Sequence, residues 1–159
     1  MAMSESIEHH LLTKLQSDDE TVRMLATQEL WQIWFKQKGL YGLGILSLSQ
    51  TQIERGELAA AERTLTDLIL AEPDFAEAWN RRAVLYYMQE QYDLAIADCH
   101  ATVKLNPHHF GAWHGLGLSQ MALANYPEAI AAFHQALSIQ PYALVNQRLI
   151  LECSLKLNP

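Results

Sequence analysis

Seven histidines and two cysteines are the side chains of this 159-residue sequence with the most chemistry to offer. The densest group is His108, His109 and His114. A zinc site needs three or four ligands at compact spacings, typically two histidines one helical turn apart. Here His109 and His114 are five residues apart, and His108-His109 fall where a turn is expected. That spacing favours a solvated turn over a metal site, and no metal or other cofactor is expected. His9-His10 near the start offer at most a weak contact. Cys99 is followed by His100, but adjacent helical residues diverge by about 100°, which argues against a Cys–His nucleophile. There is no glycine-rich phosphate loop, no G-x-S-x-G and no paired-carboxylate cleft. The expectation is a protein that is not an enzyme.

Composition narrows the class further. Half of the residues are hydrophobic, enough to bury a core. The formal net charge of −7 argues against binding a nucleic-acid backbone, which needs a basic footprint. Two cysteines make no disulfide framework, so a reducing, cytoplasmic setting is expected. The start, MAMSESIEHH, lacks the basic and apolar regions of a secretory leader. No run approaches the roughly 18 to 20 apolar residues that a bilayer span requires.

The elements that position these side chains follow from a ruler in the sequence. Pro73, Pro107 and Pro141 lie 34 residues apart. Ala61, Ala95 and Ala129 keep the same interval, as do Leu58, Tyr92 and Tyr126, and the pair Trp79 and Trp113. Self-similarity at a fixed period of 20 to 50 residues signals a stacked repeat architecture. Within the third unit, Trp113, Leu116, Leu118 and Met121 form one helical stripe, and Ile130, Phe133 and Leu137 form another. Between them Asn125 offers an N-cap, with Pro127 and Glu128 in the first turn. Each unit therefore reads helix, turn, helix, turn, with Gly117 and Ala129 small enough for close helix approach.

These units resemble the tetratricopeptide repeat family, whose pattern is W-x2-L-G-x2-Y, then A-x3-F, then P. The third unit has Trp113, Leu116, Gly117, Ala129, Phe133 and Pro141, with Gln120 in place of the tyrosine. The second has Trp79, Arg82, Ala83, Tyr86, Ala95, Cys99 and Pro107, and the first is weaker, with Ile45, Leu48, Ser49, Gln52, Ala61, Leu65 and Pro73. The resemblance implies an all-α, right-handed superhelix of about nine helices. Its expected organisation is an N-terminal helical pair (1–41), three units (42–75, 76–109 and 110–143) and a C-terminal capping helix (142–159). The capping helix has Leu144, Val145, Leu149, Ile150, Cys153 and Leu157 as its apolar positions.

The resemblance also implies a concave groove lined by the first helix of each unit. Its candidate partner-binding residues are Leu46, Gln50, Ile53, Glu77, Asn80, Arg81, Val84, Tyr87, Met88, His114, Leu118 and Met121. Family members that hold acidic chaperone tails use a Lys, Asn and Arg clamp. Here the clamp positions carry Leu46, Gln50, Arg81, Gly111 and Gly115, so that mode is not expected. Arg81 remains a candidate to read a partner carboxylate, and Arg82 is expected to pair with Glu77 or Asp74.

Trp31, Trp34 and Phe35 crowd the second N-terminal helix. The expectation is that they pack on the first helix and the weak first unit; an exposed patch for a partner is the alternative. The implied function is protein–protein interaction, with a basic or apolar peptide or helix in the groove. The alternative is self-association through the aromatic N-terminal helix or the Leu-rich C-terminal helix.

Overall fold

The computed structural model describes the backbone of residues 2–158 and the side chains of residues 6–158; Met1 and Pro159, the outermost residues of the expected first and last segments, lie outside them. Among the described residues there are nine helices and no strand. These are α1 (Ala2–Lys14), α2 (Glu20–Phe35), α3 (Gly39–Glu54), α4 (Leu58–Ala71), α5 (Ala76–Met88), α6 (Tyr92–Leu105), α7 (Phe110–Ala122), α8 (Tyr126–Ile139) and α9 (Leu144–Leu157). No helix among them is long and apolar enough to cross a membrane.

From α3 onward the chain is an all-α superhelix of antiparallel pairs, and the 34-residue period recurs atom by atom. Each pair turns through the same C-cap. The second residue after the first helix has a positive φ at Gly56 (75°), Glu90 (59°) and Ala124 (60°). The next amide reaches back across the turn, from Glu57 to the Gln52 carbonyl, from Gln91 to Tyr86 and from Asn125 to Gln120, each at 2.8–2.9 Å. This is a Schellman arrangement, which satisfies helix-end carbonyls that would otherwise be orphaned. Glycine, which takes that conformation freely, fills the slot only in the first pair. Asn125 begins α8 as expected, but its side chain donates to Gln120 rather than capping the helix.

The prolines do more than end helices. Trp79 Nε1 donates to the Pro73 carbonyl (3.0 Å), and Trp113 Nε1 donates to that of Pro107 (2.8 Å). Gln147 repeats the bond to Pro141 in α9. Between the helices of a pair, small residues permit contact. A Cβ on Gly117 would stand 2.4 Å from the Phe133 ring, which is itself fully buried. The apolar clusters run from Leu46, Leu65 and Phe75 at one end, through Ala83, Cys99 and Leu116, to Phe133 and Cys153 at the other.

The N-terminal pair reaches further along the stack than expected. Asp19 caps α2, accepting from the Thr21 and Val22 amides. The helix then runs along the edge where the inter-unit turns lie. At the first turn, Lys38 bridges Glu72 (3.0 Å) and Asp74 (2.7 Å). At the second, Trp31 and Trp34 pack on His109 and Phe110. At the third, Gln16 donates to the Ile139 carbonyl, Gln140 to Thr27, and Tyr142 to Asp18, with Arg23 lying over the Tyr142 ring. Phe35 packs on the first unit and Trp34 on α1, as expected, while Trp31 and Trp34 also seat on the start of the third unit. The reason is steric: Gly111 leaves a gap, and a Cβ there would meet Trp31 at 2.8 Å.

Replacing Glu90 or Ala124 by glycine relieves a left-handed residue and is expected to raise stability by about 0.5–1 kcal/mol each in urea unfolding. Trp34 is 5% exposed and donates to Glu8. Trp34→Ala is expected to cost about 3–5 kcal/mol and to make the α1–α2 segment the first site of proteolytic cleavage.

Candidate binding groove

The candidate groove residues divide by depth. Leu46, Glu77 and Asn80 are buried, and Ile53 packs on the first apolar cluster. These four are part of the fold rather than its surface. Val84, Tyr87 and Met88 on α5 are exposed. His114, Leu118 and Met121 on α7 are half-buried. The helical period explains the split, since α5 must turn one flank to α3 and the other to α7.

Buried polar groups join these helices. Glu77 is 1% exposed and accepts from Arg81 Nε (2.9 Å), from Asn80 (3.3 Å) and from His109 Nε2 (3.0 Å). The Ala112 amide donates to His109 Nδ1, so the ring proton sits on Nε2 and points at the carboxylate. His109 is fully buried, with Trp34 stacked on it at 4.6 Å between ring centroids. Arg81 also donates to Gln50 (2.8 Å) and lies over Phe35, and Gln50 donates to Glu54. A carboxylate this deep needs such partners, because unpaired burial of a charge is costly.

Three expectations change here. Arg81 is engaged inside the fold and is not a free guanidinium for a partner. Arg82 pairs with neither Glu77 nor Asp74: it makes a two-pronged contact to Asp98 (2.7 and 2.9 Å) and donates to Thr66. That contact ties α5 to α6 and holds the Arg82 guanidinium above its ordinary pKa. His109 is not solvated; it caps α7 from the position that Phe75 fills one period earlier. Phe75 was the available signal, because a fully buried aromatic at one turn implies a buried slot at the next. The aromatic trio is enclosed rather than exposed. Trp34 is buried, while Trp31 and Phe35 stack on each other at 5.4 Å and pack against the superhelix.

What remains open is an apolar hollow between α5 and α7. It has a volume of about 170 Å³ and is lined by Asn80, Val84, Tyr87, Cys99, Gly111, His114, Gly115 and Leu118 among others. It exists because the third unit carries Gly111 and Gly115 where the second carries Glu77 and Arg81. A Cβ on Gly115 would meet Cys99 Sγ at 3.5 Å, so the thiol forms the floor. Burial pushes the Cys99 thiol up to about 12, which keeps it neutral and unreactive. His114 bonds to the buried Asn146 of α9 (2.6 Å) at one side. A larger open cleft of about 700 Å³ lies between Glu8, His9, Trp34, Lys36 and the α6–α7 turn with His108. Among the described residues no three His, Cys, Asp or Glu side chains gather as a metal-ion set.

Comparison with known proteins agrees with this architecture. The tetratricopeptide repeat family pattern matches residues 76–109 and again 110–143. A TPR repeat-containing protein of Rhizobium etli is 30% identical over 97 residues, 61% of this chain and 48% of the relative. The Superkiller complex protein 3 of Homo sapiens is 27% identical over 105 residues, 66% of this chain and 7% of that protein. The chain thus spans about half the length of the first relative and a small part of the second. Among solved structures, the first TPR of Spaghetti (RPAP3) bound to the HSP90 peptide SRMEEVD superposes with a TM-score of 0.71 at 21% identity, over 74% of this chain and 93% of that one. The second TPR domain of human RPAP3, in complex with the HSP70 peptide SGPTIEEVD, gives 0.67 at 20% identity, over 70% and 93%. Repeat period, helix pairing and sequence match converge, and the chain belongs to the tetratricopeptide repeat family.

Proposed function

We propose that the chain is a non-catalytic interaction module. It holds a peptide or helix of another protein in the groove of α3, α5, α7 and α9, with one bulky apolar side chain inserted between α5 and α7. The hollow beside Gly111 and Gly115 is the observation that carries this reading. It is apolar, opens on the groove and adjoins the exposed Val84, Tyr87 and Met88. Rigid aromatic and flexible Met contacts around a desolvated pocket are the usual makings of a binding hot spot.

Partner chemistry follows from what surrounds the hollow. The structural neighbours named above hold peptides ending in acidic residues. In this chain Arg81 is neutralised by Glu77, and the third unit offers glycines in place of cations. A net charge of −7 further disfavours an acidic ligand. The partner is therefore apolar at its anchor and neutral or basic around it. Unpaired, buried thiols at Cys99 and Cys153 accord with a cytoplasmic, reducing setting.

The test is selection of a random peptide library on the immobilised chain. Selected peptides are expected to share a bulky apolar residue. Tyr87→Ala, which strips the rim, and Gly115→Met, which fills the hollow, should each weaken binding at least about tenfold, roughly 1.4 kcal/mol. Both positions leave the buried Glu77 network intact, so the melting temperature should hold. Peptides with no apolar anchor, or binding indifferent to both changes, would overturn the proposal.

A further inference from the structure

The last helix, α9, carries a second surface that borders the groove: Arg148, Glu152 and Leu155 stand 34 residues after the groove residues His114, Leu118 and Met121, while Leu144 and Leu151 extend the face away from it. α9 stands where a fourth unit would place its first helix. In the three complete pairs, one position of the first helix admits the second helix of the same pair. It holds Ser49 in α3, Ala83 in α5 and Gly117 in α7, at intervals of 34, and all three are buried. At Gly117 there is no room even for a Cβ. α9 has Leu151 at that position, 60% exposed. A helix brought as near to α9 as α8 is to α7 would meet this side chain.

Leu151 belongs to a row. At about 100° per residue, Leu144, Arg148, Leu151 and Leu155 fall within about 60° of one another on one face. The buried Asn146 and Cys153, and the packed Leu149 and Ile150, lie on the opposite face. Leu144 and Leu155 are 73% and 62% exposed. A helix face that no neighbour covers in a repeat stack is ordinarily polar. Here it presents three leucines around one arginine.

We propose that this face pairs with the same face of a second copy, the two α9 helices running antiparallel about a two-fold axis. The spacing of the row, four, three and four residues, reads the same in both directions, as a self-complementary interface requires. In the register that sets Leu144 opposite Leu155 of the second copy, Arg148 lies opposite Leu151 and one residue, about 1.5 Å along the axis, from Glu152. Arg148 and Glu152 sit on the same edge of the row, so the two-fold generates two opposite-charge pairs. A head-to-tail partner gains neither the palindromic row nor both charge pairs.

One helix face is small beside a standard interface, so the equilibrium is weak, and sedimentation equilibrium of the full chain should run from about 10 µM to about 1 mM. The mass is expected to rise toward twice that of the monomer. The double change Leu151→Glu with Leu155→Glu should stay monomeric; both side chains point to solvent, so its melting curve should match that of the unaltered chain. Arg148→Glu should weaken the pairing, and adding Glu152→Arg should restore it, a rescue that loss of folding does not mimic. The proposal fails if the unaltered chain stays monomeric throughout. It fails equally if the mass climbs past two copies, or if the leucine or charge changes leave association untouched.

Discussion

A helix pair of this length cannot cover its own apolar faces, and every other feature follows from that constraint. Each pair must be finished by the next, so the chain has to return to the same register every 34 residues. Small residues at Ala83 and Gly117 set how near the helices come. The bonds from Trp79, Trp113 and Gln147 to the proline carbonyls set where each unit begins. The repeated Schellman turns set the angle at which the second helix departs. Together they let apolar clusters follow one another from pair to pair along the repeats without a large central one.

The groove is a by-product of this stacking, and its chemistry is local. The second unit spends its charged residues inside, where Glu77 gathers Arg81, Asn80 and His109. The third unit replaces the corresponding pair with glycines and leaves a hollow. Neighbouring units on one scaffold therefore do opposite jobs: one locks α3, α5 and α7 together, while the other leaves space. Whatever enters the hollow meets an apolar rim and a neutral thiol floor.

Much of this was legible in the sequence, and the limits have physical causes. Pro73, Pro107 and Pro141 with Trp79 and Trp113 announced the fold, because a period cannot be hidden by substitution at single sites. Gly117 against Phe133 was legible for the same reason. The fate of Arg81, Arg82 and His109 was not. Helical period fixes which face a residue is on, but not whether a neighbouring turn comes down over that face. His109 reads as a turn residue until Trp34 is seen stacked on it, and Arg82 reads as a misplaced cation until Asp98 is found 16 positions later. The seat of α2 was legible only in part: Phe35 on the first unit and Trp34 on α1 were expected, but the reach of Trp31 and Trp34 to the third unit was not. It depends on Gly111, whose missing side chain carries no pattern of its own.

The α1–α2 pair has a consequence for how the molecule holds together. A repeat stack ordinarily behaves as a row of units coupled only to their neighbours, free to fray from either end. Here Gln16 bonds to Ile139, Thr27 to Gln140 and Asp18 to Tyr142, across 113 to 124 residues of chain. These contacts close the row into a frame. The turn between α8 and α9 cannot loosen without giving up its bonds to the α1–α2 segment. Such distant pairings also raise the contact order of the chain, which slows folding relative to a row of purely local contacts.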